Sequence, residues 1–382
     1  MANSGNKIKV GILFGGKSAE HEVSLQSAMN VFEAIDRSRF EPVLIGIGKD
    51  GKWRLGGESL SLINAADPRR ISLTHSGDPV ALVPDSKGML CKTEPLCSPE
   101  PPNYPLPTTH YPLIDVVLPI LHGPLGEDGT VQGLLKLADI PFAGSGVLGS
   151  AVGMDKDVMK RLLRDAGIPI GKFIVCHSHR PLPPFAEIEA ELGSPLFIKP
   201  ANMGSSVGIS KVRGEAEFTA AIKEAFQYDT KIIIEEYIKC REIECAVLGN
   251  DDPAASVPGE VIPSHEFYSY DAKYLDENGA TLEIPAKLDD GCQSRIRELA
   301  IKVFQTLCCE GLSRVDFFLR ENGEILVNEI NTMPGFTKIS MYPKLWEASG
   351  IGYTELISRL IELAMERHSK ERRVDNGLNR PC

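Results

Sequence analysis

Apolar positions in this chain fall into short runs and alternations broken by glycine and proline, a pattern of many strands and a few amphipathic helices. Residues 7–14 form an apolar run that ends at Gly15-Gly16; a helical pattern over about 20–35 follows, then a second apolar run at 41–47. This strand–helix–strand order predicts a parallel, doubly wound opening domain. Residues 114–121 read as another buried strand of that domain, ending at His122-Gly123, whereas the proline-rich stretch 75–112 reads as a surface excursion from it. A domain boundary is expected near Gly144-Ser145-Gly146. Beyond it, a helix at 155–166 stops at Gly167 with Pro169 just after. Strands at 195–199, 208–212, 232–238 and 242–248, with a helix at 215–226, predict an α+β module with antiparallel pairing. Helices at 294–307 and 353–367 follow, then a polar, frayed tail from residue 372; there is no internal repeat.

The densest chemistry sits in two alternating segments, Ser313 to Leu319 and Ile325 to Asn331, joined by Glu321-Asn322-Gly323-Glu324. Asn-Gly between alternating apolar residues predicts a hairpin. With Asn322 and Gly323 as the turn, Asp316 lies opposite Glu329 and Arg314 opposite Asn331. All four share one face, while Val315, Phe317, Leu319, Leu326 and Ile330 point to the other. Opposed residues have Cβ atoms ~5 Å apart, so two carboxylates placed so repel unless a cation lies between them. Two carboxylates and an amide suit Mg²⁺, which binds one or two carboxylates together with substrate phosphates. The plainer alternative is a solvated face of mixed charge.

Bulk composition narrows the partners. With 382 residues the chain is long enough for two or three domains. Its 41 Lys+Arg against 52 Asp+Glu give a net charge of -11, which argues against nucleic acid or an anionic membrane. Any phosphate site must therefore be built locally. No apolar run reaches the ~20 residues of a membrane span, and the N-terminus carries no signal-peptide core. The nine cysteines show no C-x-x-C spacing and read as reduced cytosolic thiols. His177 and His179 form an isolated H-x-H, read as part of a polar loop.

Residues 11–18, G-I-L-F-G-G-K-S, match the P-loop pattern literally, but Ile12, Leu13 and Phe14 continue a buried strand, so Gly11 is mid-strand and the phosphate-cradle reading fails on context. What remains is a strand end opening into a helix at Gly15-Gly16, where open α/β sheets bind ligands. Glu20 in the first helical turn is by default a dipole complement, and as a functional group it would hold a ligand ammonium. Residues 122–129 end another strand of the same sheet and would line the same crevice. Gly204 to Gly208 is a candidate anion nest beside Lys199.

Seven motifs in this order resemble the ATP-grasp superfamily and, within it, the D-alanine–D-alanine ligase family: 14–24 (F-G-G-K-S-A-E-H-E-V-S), 121–129 (L-H-G-P-L-G-E-D-G), 154–156 (M-D-K), 199–200 (K-P), 204–208 (G-S-S-V-G), 270–274 (Y-D-A-K-Y) and 328–335 (N-E-I-N-T-M-P-G). Each is weak alone; the combination is specific and spans nearly the whole chain. The resemblance implies an ATP-grasp fold, α/β and α+β, preceded by a Rossmann-like parallel-sheet domain. Its domains would be 1–144 for substrate, 145–240 and 241–370 for the central and C-terminal ATP-grasp lobes, and 371–382 as tail.

What the resemblance implies for function is an ATP-dependent ligation of two D-alanine molecules through D-alanyl phosphate, for peptidoglycan precursors. Lys156, Lys199 and Lys273 would contact phosphates, Glu235 and the Ile238 backbone the adenine edge, and Glu242 the ribose. Asp316, Glu329 and Asn331 match the family's ligands for Mg²⁺ or Mn²⁺, two ions in all. Glu20 would anchor the first ammonium, linked through Ser205 to Tyr274, with His122 nearby; Arg314 and the Gly335 amide would stabilise the tetrahedral oxyanion. Ser340 would bind the second carboxylate, with Met341 beside the acceptor site. Tyr274 stands where relatives accepting a hydroxy acid carry another residue. A cytoplasmic homodimer is expected from the family. Three other readings remain: an ATP-grasp ligase for a different carboxylate–amine pair, a P-loop NTPase, and a non-catalytic nucleotide sensor.

Overall fold

The computed structural model describes residues 7–56, 62–63, 71–73, 77–93, 113–263 and 280–378. The chain divides into two compact units. The first holds the residues up to Gly144 together with Gly335–Pro343 and the segment from Ile351 onward; the second holds Ser145–Pro334 and Lys344–Gly350.

The first unit is built on a six-stranded sheet. Ile8–Gly15 runs next to one edge of it, parallel to Phe40–Ile47 on one side and to the edge strand Val116–Ile120 on the other. These strands are apolar almost throughout because both faces of a parallel sheet are covered. Gly11 pairs with Val43 and Val117 within the buried strand, which confirms that it opens no P-loop. The helix His21–Ala34 follows as expected. The sheet is mixed rather than purely parallel, because Trp53–Leu55, Asp78–Leu82 and Leu90–Lys92 extend it with antiparallel pairs. This corrects, for residues 78–92, the reading of 75–112 as a surface excursion. The alternation of Val80 and Leu82, with Leu90, buries three side chains against Leu13 and Ile45, a signal overshadowed by the prolines further on. Residues 94–112 lie outside the described residues.

The last helix, Tyr353–Leu378, runs beyond the expected end and includes residues 372–378 that were read as a frayed tail. Good helix formers and the pair Glu366–Lys370 at 2.7 Å continue it. Docking continues it too: the buried guanidinium of Arg367 donates to the carbonyls of Phe142 (2.8 Å) and Gly144, and His368 meets Asp139 at 3.0 Å.

Two antiparallel sheets make up the second unit. One has the order Ser210–Val212, Leu196–Pro200, Lys231–Glu236, Phe173–His177. It is covered by the helices Phe185–Leu192 and Glu215–Ala225, whose Ile188, Phe218 and Ile222 pack on Ile198, Ile232 and Ile234. His177 ends a strand rather than lying in a loop, paired with Lys231. The other sheet contains Arg241–Gly249, Gly311–Leu319 and Ile325–Asn331, backed by the helix Asp290–Thr306 through Ile296, Ala300, Val303 and Phe304. Residues 237–240, where the lobe boundary was expected, are the short link that carries the chain from one sheet to the other. The helix Lys156–Asp165 starts at Asp155, whose carboxylate accepts from the amides of Asp157 and Val158 at 3.1 Å each.

The hairpin reaches its expected pairing by an unexpected route. Its turn is three residues long: Gly323, at φ 82°, donates to the Arg320 carbonyl and Arg320 donates to that of Glu324. Pairs near the turn are therefore Leu319 with Ile325, Phe318 with Leu326 and Phe317 with Val327, one residue out of the expected register. A bulge at Asn328 restores it, so Asp316 does face Glu329 and Arg314 does face Asn331. In consequence Leu326 stands with Phe318, not on the core face, and Ile325 and Val327 fill the core instead.

Candidate active site

A cleft of about 380 Å³ opens in the second unit. It gathers Lys156, Lys199, Ser205, Glu235, Ile238, Glu242 and Glu329, seven positions singled out from sequence, which the two sheets bring together. Phe197 and Lys199 project from one strand and Glu235 from its neighbour, where Phe197 and Glu235 are directly paired. Glu235 is nearly fully buried between two ammonium groups: Lys160 lies 2.7 Å from Oε1 and Lys199 2.6 Å from Oε2. Burial alone would raise the Glu235 carboxyl; Lys160 and then Lys199 outweigh it and hold the group far below the usual carboxylate range. Burial would likewise lower Lys199, yet Glu235, Glu329 and Glu242 hold its ammonium above the ordinary value. Lys156 donates to the Met203 carbonyl at 2.7 Å and lies 3.5 Å from Glu329. On the rim, Ser205 and Ser206 both occupy the left-handed region, at φ 51° and 61°. Such strain at two neighbouring non-glycine residues is typical of a ligand clamp.

On the hairpin, Asp316 faces Glu329 on one side and Glu244 on the other, so three carboxylates form a row across three strands. Arg314 binds Asp316 with two bonds of 2.7 Å and meets Glu244 at 2.9 Å; Asn331 donates to Asp316 at 3.0 Å. Arg314 and Lys156 thus balance the acidic row. Among the described residues no three His, Cys, Asp or Glu side chains converge as a finished ligand set. The donors nevertheless fit a hard divalent ion: two carboxylates in opposed register and one amide, all oxygen, beside a cleft with phosphate-sized room and lysines.

A second candidate region lies in the first unit. Gly15 and Gly16, at φ 93° and 95°, form the turn into the helix. It is fixed by Gly15 N–H to Ser24 Oγ at 2.7 Å and by His21 Nδ1, which donates to the Gly16 carbonyl at 2.7 Å. Glu20 is buried, and its carboxylate lies so close to Gly123 that a Cβ there would come within 2.9 Å of Oε2. His122 helps line a cavity of about 290 Å³ with Gly15, Gly16, Ser18, Leu121 and Gly126. Its Nε2 lies 3.4 Å from Ser27 Oγ, which also accepts the Phe336 amide at 3.3 Å. Gly335 packs on Ser340, whose Oγ meets Thr337 Oγ1 at 2.7 Å, and Met341 begins the helix Met341–Ala348. Lys273 and Tyr274 lie outside the described residues.

Sequence reasoning missed Lys160 and Glu244. Lys160 follows Lys156 by four residues, on a helix face otherwise occupied by Met159 and Leu163; a lysine in an apolar stripe was the available signal. Glu244 carried none, because its importance comes from pairing with Asp316 across the sheet.

Comparisons with known proteins place the chain in a family. The D-ala D-ala ligase C-terminus model matches residues 162–362 and the D-ala D-ala ligase N-terminus model matches 9–145. D-alanine–D-alanine ligase A of Escherichia coli strain K12 is 54% identical over 373 residues, covering 97% of this chain and 98% of the relative. The D-alanine–D-alanine ligase of Oceanobacillus iheyensis is 53% identical over 372 residues, 97% of this chain and 99% of the relative. Among solved structures, the D-alanine-D-alanine ligase from Coxiella burnetii superposes with a TM-score of 0.82 at 36% identity over 97% of each chain. The VanG D-Ala:D-Ser ligase from Enterococcus faecalis gives 0.79 at 36% identity, over 94% of this chain and 100% of that one. The fold is that of the ATP-grasp enzymes. Matched along both family models and nearly end to end by its relatives, the chain belongs to the D-alanine–D-alanine ligase family.

Proposed function

We propose that the protein joins two molecules of D-alanine at the cost of one ATP, supplying D-alanyl-D-alanine for peptidoglycan precursors. The observation that carries the reading is one cleft holding Lys156, Lys199, Glu235 and Glu329 together, with the opposed pair Asp316–Glu329 at its edge. The carboxylate of the first D-alanine attacks the γ-phosphorus of ATP, giving D-alanyl phosphate and ADP. The amine of the second attacks the acyl carbon, and phosphate leaves as the peptide bond forms. Positioning and charge neutralisation dominate such chemistry.

Each side chain then has a task. Lys156 and Lys199, with Lys273, neutralise phosphate oxygens; Glu235 and the Ile238 backbone receive the adenine edge; Glu242 receives the ribose. Asp316, Glu329 and Asn331 would hold two Mg²⁺ or Mn²⁺ ions, which when bound neutralise charge on the transferring phosphoryl group. Glu20 holds the first ammonium, with Ser205, Tyr274 and His122 in support. Arg314 and the Gly335 amide receive the oxyanion. Ser340 takes the second carboxylate, with Met341 beside it. The enzyme is proposed to act in the cytoplasm as a homodimer. No helix among the described residues is long and apolar enough to cross a membrane.

A D-serine acceptor is the second reading, favoured by the likeness to the D-Ala:D-Ser ligase. ADP release measured with D-alanine alone, with D-alanine plus D-serine or D-lactate, and with L-alanine separates the cases. D-alanine alone is expected to sustain turnover, chelation to abolish it and added Mg²⁺ to restore it. Equal rates with L-alanine would overturn the proposal.

A further inference from the structure

We propose that Lys160 is the standing counter-ion of Glu235 and, through it, a positioning residue that makes the cleft prefer adenine over guanine nucleotides. The inference rests on reading the cleft as the ATP site and adds what enforces its choice of base.

Glu235 has two cationic partners of different character. Lys160 lies 2.7 Å from one carboxylate oxygen and its side chain is 3% exposed; Lys199 lies 2.6 Å from the other and is 12% exposed. Lys160 comes from the helix Lys156–Asp165, among the buried side chains Met159 and Leu163, and its ammonium stands 5.9 Å above the Phe173 ring. Among the described residues it makes no other ion pair, and Glu235 lies between it and Lys199. Lys199 also feels the charge of Glu329 and Glu242, so it is tied to the acidic side of the cleft as well as to Glu235. A triphosphate entering the cleft competes with Glu235 for the Lys199 ammonium. Lys160 borders the same cleft, but its side chain is only 3% exposed against 12% for Lys199, so the phosphates have the weaker claim on it.

Once Lys199 turns to phosphate, Lys160 is the ammonium among the described residues that keeps Glu235 from being a buried carboxylate without a partner. Such a group recovers its neutral form. Ionised, it only accepts hydrogen bonds; protonated, it also donates. Adenine presents an amino donor where guanine presents a carbonyl acceptor. An anionic Glu235 therefore accepts from adenine and repels guanine, whereas a neutral one accommodates either. Lys160 acts on the choice of base through Glu235, the group that reads it.

The test uses the full-length protein with Lys160→Met, Lys160→Gln and Lys160→Arg, binding Mg·ATP and Mg·GTP by calorimetry. Lys160→Met is expected to weaken ATP binding at least about tenfold, ~1.4 kcal/mol, and to shrink the ATP-to-GTP affinity ratio by a similar factor. Lys160→Arg is expected to restore both, and Lys160→Gln to fall between. The ratio is read within one preparation, so partial unfolding cancels, and the Gln variant keeps the test alive if the Met variant does not fold. In steady-state assays the loss should appear in the KM for ATP and leave the KM for D-alanine unchanged. A folded Met or Gln variant with the wild-type ratio would overturn the inference alone. Wild-type protein that binds neither nucleotide would sink the ATP-site reading itself.

Discussion

Glu235 illustrates how a single carboxylate can be kept charged away from water. Its two ammonium neighbours hold it far below the usual value of about 4.5, so its ionised form is favoured in the folded chain over the unfolded one. The sign follows: the stabilisation is fully present above the unfolded value and drains away as pH falls toward the folded one. Wild-type protein should therefore lose on the order of 1–3 kcal/mol of unfolding free energy as pH falls below about 4.5. Glu235→Gln should be less stable at neutral pH, because Lys160 and Lys199 are left facing an amide, and should show a shallower acid slope. Urea unfolding at a series of pH values measures both; parallel slopes would refute the argument. At this scale the sequence was informative where chemistry is local. Lys199 beside a glycine-rich loop and Glu20 at a strand end were readable as candidates. Lys160 and Glu244 were not, because each matters through a partner supplied by a distant segment, Glu235 in one case and Asp316 in the other.

Among elements, the helix Lys156–Asp165 has a double share in the site, since both Lys156 and Lys160 stand on it. Its start depends on Asp155, which caps two amides and also pairs with Lys231 at 2.6 Å. Asp155→Ala should cost about 1–2 kcal/mol from the cap alone. It should also raise the KM for ATP, because the first turn carrying Lys156 frays. Denaturant unfolding and ATP titration check the two effects; a stability loss with ATP binding untouched would show that the turn holds without its cap. The hairpin shows how far element-level reading reaches. Alternation and an Asn-Gly pair located the strands and paired Asp316 with Glu329, yet both the turn length and the bulge at Asn328 went unseen. The two errors cancelled at the acidic pair and did not cancel at Leu326. Turn length depends on backbone geometry that Gly323 permits in more than one form, and a bulge leaves no mark in a short alternation. The strands Asp78–Leu82 and Leu90–Lys92 were overlooked for a different reason, their neighbours' proline content masking a weak two-residue period.

For the whole molecule, the division into units does not follow chain order. Residues up to Gly144 are joined by Gly335–Pro343 and by the segment from Ile351 onward, which the expected division assigned to a C-terminal lobe and tail. Packing explains the assignment: the helix Tyr353–Leu378 lies against Val116–Ile120 and His21–Ala34, and Tyr353 donates to the Phe336 carbonyl at 2.5 Å. Arg367 is the main polar fastener, buried beneath the Phe142 ring with its guanidinium carbon 4.4 Å from the centroid. Arg367→Met should leave the Phe142 and Gly144 carbonyls without this donor and cost about 2–3 kcal/mol. An unfolding midpoint equal to wild type would mean that other donors serve them.

That interrupted layout bears on how the protein is born. A ribosome delivers the parallel strands early, yet the helix that covers them emerges only after more than two hundred intervening residues. The nascent opening half must therefore wait with an uncovered apolar flank while the middle of the polypeptide completes itself. Chaperone dependence during synthesis, and the failure of N-terminal fragments to stay in solution, are what such an order of assembly entails.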